Sequence, residues 1–207
     1  MRRVPGSPFT PDDPVPDIGP IEPLIREMPS SYTVKGMFVA PIANRLGKNE
    51  VERLRSTFDA PLRERYLAFR DYPQADHSRL MARLAELDYP GQPPAEALRR
   101  FARTDMATFA GSTLGRVIMA VVGDAASALL KVPTVYEKVA PGTEVIARRT
   151  ADGVTLEFQP VYGAWAYQLG QVEGIAGHYG ATSTVDVFEG TNRLVKFDVN
   201  LEPNTPV

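Results

Sequence analysis

The segment Ala166–Ala181, AYQLGQVEGIAGHYGA, has helical apolar spacing yet carries Gly170, Gly174, Gly177 and Gly180. Each glycine inside a helix costs about 0.8–1.0 kcal/mol against alanine, so three of them forgo about 2–3 kcal/mol of local preference. Such a helix persists only where something comes very close to it. Trp165, Leu169, Val172, Ala176 and Tyr179 recur at helical spacing as a bulky stripe, and Ala166, Gly170, Gly174 and Gly177 form a bare stripe beside it. The bare stripe can lie on the sheet or another helix of the same fold, on a second subunit, or on a ligand. Gly180 stands where the helix ends and a left-handed residue is expected.

Both flanks of this helix read as hairpins. TEVIARRT and VTLEFQPV enclose Ala151-Asp152-Gly153, and STVDVFE and RLVKFDVNL enclose Gly190-Thr191-Asn192. Before Pro141 the pattern is helical. TVKGMFVAPIANRL is distorted by Gly36 and Pro41, a second helix is capped by Asn49, and a third, APLRERYLAFRDYP, stops before Pro73. Asp76 or Ser78 then caps RLMARLAEL, whose Leu80, Leu84 and Leu87 face the core. Pro94 opens a helix through Leu98, Phe101, Met106 and Phe109 that Gly111 breaks, and an apolar piece follows from Leu114 to Val122. Asp124 caps DAASALLKV, which Pro133 closes. The expected fold class is α+β: a helical N-terminal half followed by a β-β-α-β-β unit with a four-stranded antiparallel sheet.

Eight prolines (Pro5, Pro8, Pro11, Pro14, Pro16, Pro20, Pro23 and Pro29) make residues 1–30 an extended arm, with 31–207 as a single α+β domain. The arm is a disordered tail or packs on a partner or on its own domain. Because its prolines give it no core of its own, deleting residues 1–29 is expected to leave the thermal midpoint nearly unchanged and to lower copy number instead. A net charge of -2 gives no electrostatic footprint for nucleic acid. With no cysteine, disulfides, iron–sulfur clusters and thiolate metal sites are excluded, and a cytoplasmic setting is favoured. No apolar run reaches the length of a membrane span, and no apolar stretch follows Arg2 and Arg3 to make a secretion signal.

Catalytic signatures fail on geometry. Asp76, His77 and Ser78 are chain neighbours that point apart on a helix and form no relay. GSTLG at 111–115 has Thr113 where a nucleophile elbow needs serine, and a helix precedes it. Metal-ligand spacing such as His-x-x-x-His is absent. The expectation is therefore a non-enzyme with no metal or cofactor. His178 reads as an exposed residue at a helix C-terminus, and Arg99, Arg100 and Arg103 read as a solvated face paired with Glu96. Arg116, amid STLGRVIMAVV, must snorkel, pair with a buried acid or meet an anionic group.

The runs GSTLGRVI, VPTVYEKV and YQLGQVEGIAGHYGA before two closing strands resemble the motifs of a family of uncharacterised proteins of about two hundred residues, multiplied as paralogues in myxobacteria. The resemblance spans Val34 to Glu202, with family positions at Gly115, Arg116, Pro133, Tyr136, Tyr167, Gly170, Glu173 and Gly180. More distantly, helices followed by β-β-α-β-β is similar to the superfamily of haem nitric-oxide/oxygen-binding domains, vinyl-reductase-type domains and TRAPP-type subunits. That likeness implies a hydrophobic small molecule or a partner subunit held between helices and sheet. Haem members need an axial histidine and a Tyr-x-Ser-x-Arg clamp, and the clamp occurs nowhere in this chain. The expected function is a non-enzymatic regulatory or adaptor module for a small hydrophobic ligand or a partner protein, its binding residues being Arg116, Tyr136, Trp165, Leu169, Gly170 and Gly174. The alternative is an assembly subunit, a homo-oligomer or part of a larger complex, that reaches neighbouring chains through the arm.

Overall fold

In the computed structural model, which describes residues 1–60, 65–111, 116 and 122–203, the last third of the chain follows the expected hairpins. β4 (Glu144–Arg149) and β5 (Gly153–Gln159) pair across Asp152, and β6 (Ala181–Glu189) and β7 (Val195–Pro203) pair through a turn in which Asn192 and Arg193 take positive φ. The strands alternate cleanly. Val154, Leu156, Phe158, Val185, Val187, Phe197 and Val199 face inward and are buried, while Thr155 and Lys196 bond Asp198 on the other face.

Among the described residues the sheet has five antiparallel strands, not the expected four, in the order β1 (Arg2–Arg3)-β6-β7-β5-β4. The added edge comes from the proline-rich segment. β1 (Arg2–Arg3) pairs with β6, the Val4 amide donates to Val187 at 2.8 Å, and Phe9 exchanges both backbone bonds with Val185. Prolines fall between the residues whose amides are needed at this edge, so the strand forms around them. The arm thus packs on its own domain, and Val4, Phe9, Val15, Ile21, Ile25 and Met28 are buried in the common core. Stability independent of residues 1–29 is not compatible with that burial.

The helical half is α1 (Glu22–Arg26), α2 (Gly36–Arg53), α3 (Gln74–Asp88) and α4 (Pro94–Gly111), followed by α5 (Ala125–Leu129), α6 (Val132–Val139) and, between the hairpins, α7 (Ala166–His178). α2 contains the break expected before Asn49, placed at Gly47 with φ 75°. The helix expected to end before Pro73 is not found in its described part. Asp71–Pro73 is a strand, β3, paired with β2 (Thr33–Lys35), and Tyr72 fixes it by burying its ring while its hydroxyl accepts from the Leu67 amide at 2.8 Å. Asp76 is no cap, since α3 starts at Gln74 and the Asp76 carboxylate accepts from the Asp59 and Ala60 amides. Leu87 is 44% exposed, one turn too far along α3 to reach the core. Asp124 caps α5 as expected, but Pro133 opens α6 instead of closing its predecessor. The GSTLG motif, Gly115 and most of the apolar piece after it lie outside the described residues.

Candidate functional site

The bare stripe of α7 lies on α4. A methyl group at Gly170 would overlap the Arg99 carbonyl oxygen, and one at Gly174 would meet the Met106 Cβ at 2.7 Å and the Arg103 carbonyl at 2.8 Å. Glycines four apart on one helix thus receive residues four apart on the other. Gly177, expected in the same stripe, has nothing within 4 Å. Trp165 is buried and stacks on Phe9 of the arm at 5.9 Å, and Leu169 is wholly buried. Gly170, Gly174, Trp165 and Leu169 therefore hold the helix in place. None of the four is among the residues that line the cavity described below.

That close approach sets Glu173, between the two glycines, against Arg99. The Arg99 Nε lies 3.0 and 3.1 Å from the two Glu173 oxygens, and its remaining donors reach Glu173 again and the carbonyls of Thr10 and Asp13. Arg103 adds a contact to Glu173 at 3.4 Å and donates to the Pro11 carbonyl. Burial pushes the Glu173 carboxyl up, and the two guanidinium groups pull it back. Arg99 is 0% exposed, which corrects its reading as part of a solvated face; Arg100, paired with Glu96 at 2.7 Å, keeps that role. The missed signal was Glu173 itself, the one charged residue between Trp165 and His178. A lone carboxylate on an otherwise uncharged helix calls for a buried cation.

Above this clamp, where helices meet β5, lies a cavity of about 180 Å³. Leu98, Leu156, Phe158, Val172 and Ile175 form apolar wall, and the arm closes one side with Ile21 and Ile25. Tyr136 reaches it from α6, its hydroxyl donating to Gln171 Oε1 at 2.8 Å, with the Gln168 amide beside it. Burial raises the pKa of both Tyr136 and Tyr167, so the two phenols stay protonated. Burial also raises Asp105.

His77 stands at the helical end of this cavity. Its ring donates to the Phe38 backbone carbonyl, and burial lowers its pKa from 6.5 to about 4, so it is neutral with Nε2 as a bare acceptor. Gln74 Oε1, one turn back on α3, and Gln168 Oε1 are likewise buried without partners. An unpartnered buried polar atom costs about 1–3 kcal/mol, so three on residues lining one cavity is an unusual concentration. Arg79, held by Glu22, Asp59 and Asp76, fixes the start of α3 and hence His77. Asp76 is engaged by Arg79 and backbone amides, and His77 by Phe38, so the Asp76-His77-Ser78 run forms no relay. Arg116 is exposed and is not among the described residues lining the cavity; of the expected binding residues, Tyr136 alone lines it.

The fold is similar to that of solved H-NOX proteins. An Fe(II) unliganded H-NOX protein from K. algicida is similar over 84% of this chain and 99% of its own, with 16% identity and a TM-score of 0.59. A mutant H-NOX protein from S. oneidensis covers 83% and 97% at 12% identity with a TM-score of 0.62, and an oxygen-binding H-NOX domain related to soluble guanylate cyclases covers 83% and 95% at 16% and 0.59. The chain belongs to the family described as protein of unknown function (DUF2378), whose model matches residues 28–200. No curated protein matches it.

Proposed function

We propose that this chain is a non-enzymatic sensor module that binds a small hydrophobic molecule in the cavity between α3, α4, α6, α7 and β5, and passes its occupancy to a partner protein or a second copy. The observation that carries this reading is the set of unpartnered buried acceptors, Gln74, His77 and Gln168, on residues that line one apolar cavity. The H-NOX-like fold supports a ligand-binding class. The cysteine-free composition favours a cytoplasmic setting. No helix among the described residues is long and apolar enough to cross a membrane. The assembly alternative has less support, because the arm's apolar side chains and carbonyls are engaged with its own domain.

The H-NOX family is one in which haem distortion has been probed, so haem is the cofactor to test for fit. His77 has the free Nε2 an axial ligand needs. The rest does not fit. At about 180 Å³ the space falls below the roughly 300–1,000 Å³ of pockets for drug-sized ligands, and a porphyrin is larger than those ligands. Lys131 is the one lysine or arginine among the described lining residues, against two propionates. Hemin titration is expected to give no stoichiometric Soret band, whereas a band lost in His77→Ala would overturn this. Native mass spectrometry of the purified chain tests the module itself. A small noncovalent adduct is expected; bare protein that no single-ring compound stabilises in thermal melts would contradict it.

A further inference from the structure

Four buried side-chain N or O atoms among the described residues lack a partner, and Ser183 Oγ is the one that does not belong to the cavity lining. The other three are all acceptors. Gln74 and Gln168 leave their carbonyl oxygens unmet, and His77, with its ring N–H given to the Phe38 carbonyl, leaves the Nε2 lone pair. The Tyr136 hydroxyl, a donor in the lining, is already given to Gln171. The charged lining residues, Asp105 and Lys131, are of opposite sign, and His77 is neutral. Size is bounded as well: an apolar cavity of about 150 Å³ accepts benzene, so about 180 Å³ accommodates one ring with a substituent.

Resting on the reading of this cavity as the site, we propose that its ligand is a neutral, single-ring-sized apolar molecule that carries an O–H or N–H donor. The walls take the hydrocarbon body, and the donor meets one of the three bare acceptors. A molecule of the same shape without the donor leaves that acceptor unmet and is rejected.

Toluene, p-cresol and 4-methylanisole make the comparison, titrated calorimetrically into the full chain. In a cavity with no available acceptor, toluene binds more tightly than p-cresol, because the phenol gives up hydrogen bonds to water. The proposal predicts the reverse order, with p-cresol about tenfold tighter than toluene and than the O-methyl compound, whose donor is blocked. Gln74→Leu, His77→Phe and Gln168→Leu, each checked for a native circular dichroism spectrum, then identify the acceptor: one of them removes the preference for p-cresol while toluene binding persists. Toluene binding as tightly as p-cresol in the unmodified chain overturns the proposal, and is the result expected if ordered water already satisfies the three acceptors. Failure of all three probes while native mass spectrometry shows an adduct overturns the ligand class alone. Failure of all three with no adduct overturns the reading of the cavity as well.

Discussion

His77 takes its character from residues far from it in the chain. Burial holds its pKa near 4, against 6.5 in an open chain, and the bond to the Phe38 carbonyl on α2 only partly opposes that shift. Between those values the unfolded chain carries the extra proton, so stability falls as pH drops from about 6.5 toward 4 and levels off below. The full shift corresponds to about 3 kcal/mol. Asp76 and Asp105, whose pKa values burial raises, act in the opposite sense, since their folded forms take up the proton first. Subtracting a His77→Gln variant isolates the imidazole: denaturant midpoints of the variant are expected to fall less than those of the unmodified chain between pH 6.5 and 4.5, and parallel curves would contradict the assignment. In the sequence, His77 stands out only as one of two histidines. Its neutrality comes from burial, and its tautomer from a carbonyl thirty-nine positions away; no local pattern encodes either. Arg99 eluded the sequence for the same reason, since i,i+4 spacing to acids looks alike on a wet face and a dry one.

Among the elements, α7 was the most legible, because glycine in a helix has few physical uses. The structure separates those uses. Gly174→Ala gains about 1 kcal/mol of helix propensity but presses a methyl into the backbone of α4, an overpacking cost of about 1–3 kcal/mol, so it is expected to lower the thermal midpoint. Gly177→Ala meets nothing and is expected to raise stability by about 1 kcal/mol. Gly180, at φ 66°, tolerates asparagine better than alanine. Thermal melts of the three decide it, and a stabilising Gly174→Ala would mean that α4 does not lie where the structure puts it. The hairpins and the Asp124 cap were readable because turn and cap chemistry is local. β3 was not, because its strand state comes from pairing with β2 across a long separation. Of the site, Tyr136 was legible through its family motif, while Gln74, His77 and Gln168 become a group only when α3 and α7 face the same space.

At the scale of the molecule, the proline-rich segment changes from appendage to structural member. It adds a strand to the sheet, supplies the carbonyls that Arg99 needs, and walls the cavity with Ile21 and Ile25. Burying six apolar side chains at about 1.5–3 kcal/mol each is comparable to the whole stability of a domain, so deletion of residues 1–29 is expected to abolish the cooperative melt. A truncated chain that still melts cooperatively near the full-length midpoint would show that the segment is dispensable. Composition alone concealed this, because prolines permit an edge strand whose amides fall between them and, at Pro23, open the short helix α1 inside a segment expected to be wholly extended.

Everything proposed for this chain depends on one largely apolar space at the junction of helices and sheet. Diffraction from a crystal pressurised with xenon probes that space directly, since xenon enters dry apolar cavities of this size. The expected result is a xenon atom bounded by Leu156, Phe158, Val172 and Ile175 with the surrounding side chains unmoved. Side chains collapsed into that volume, with no xenon there, would contradict the account.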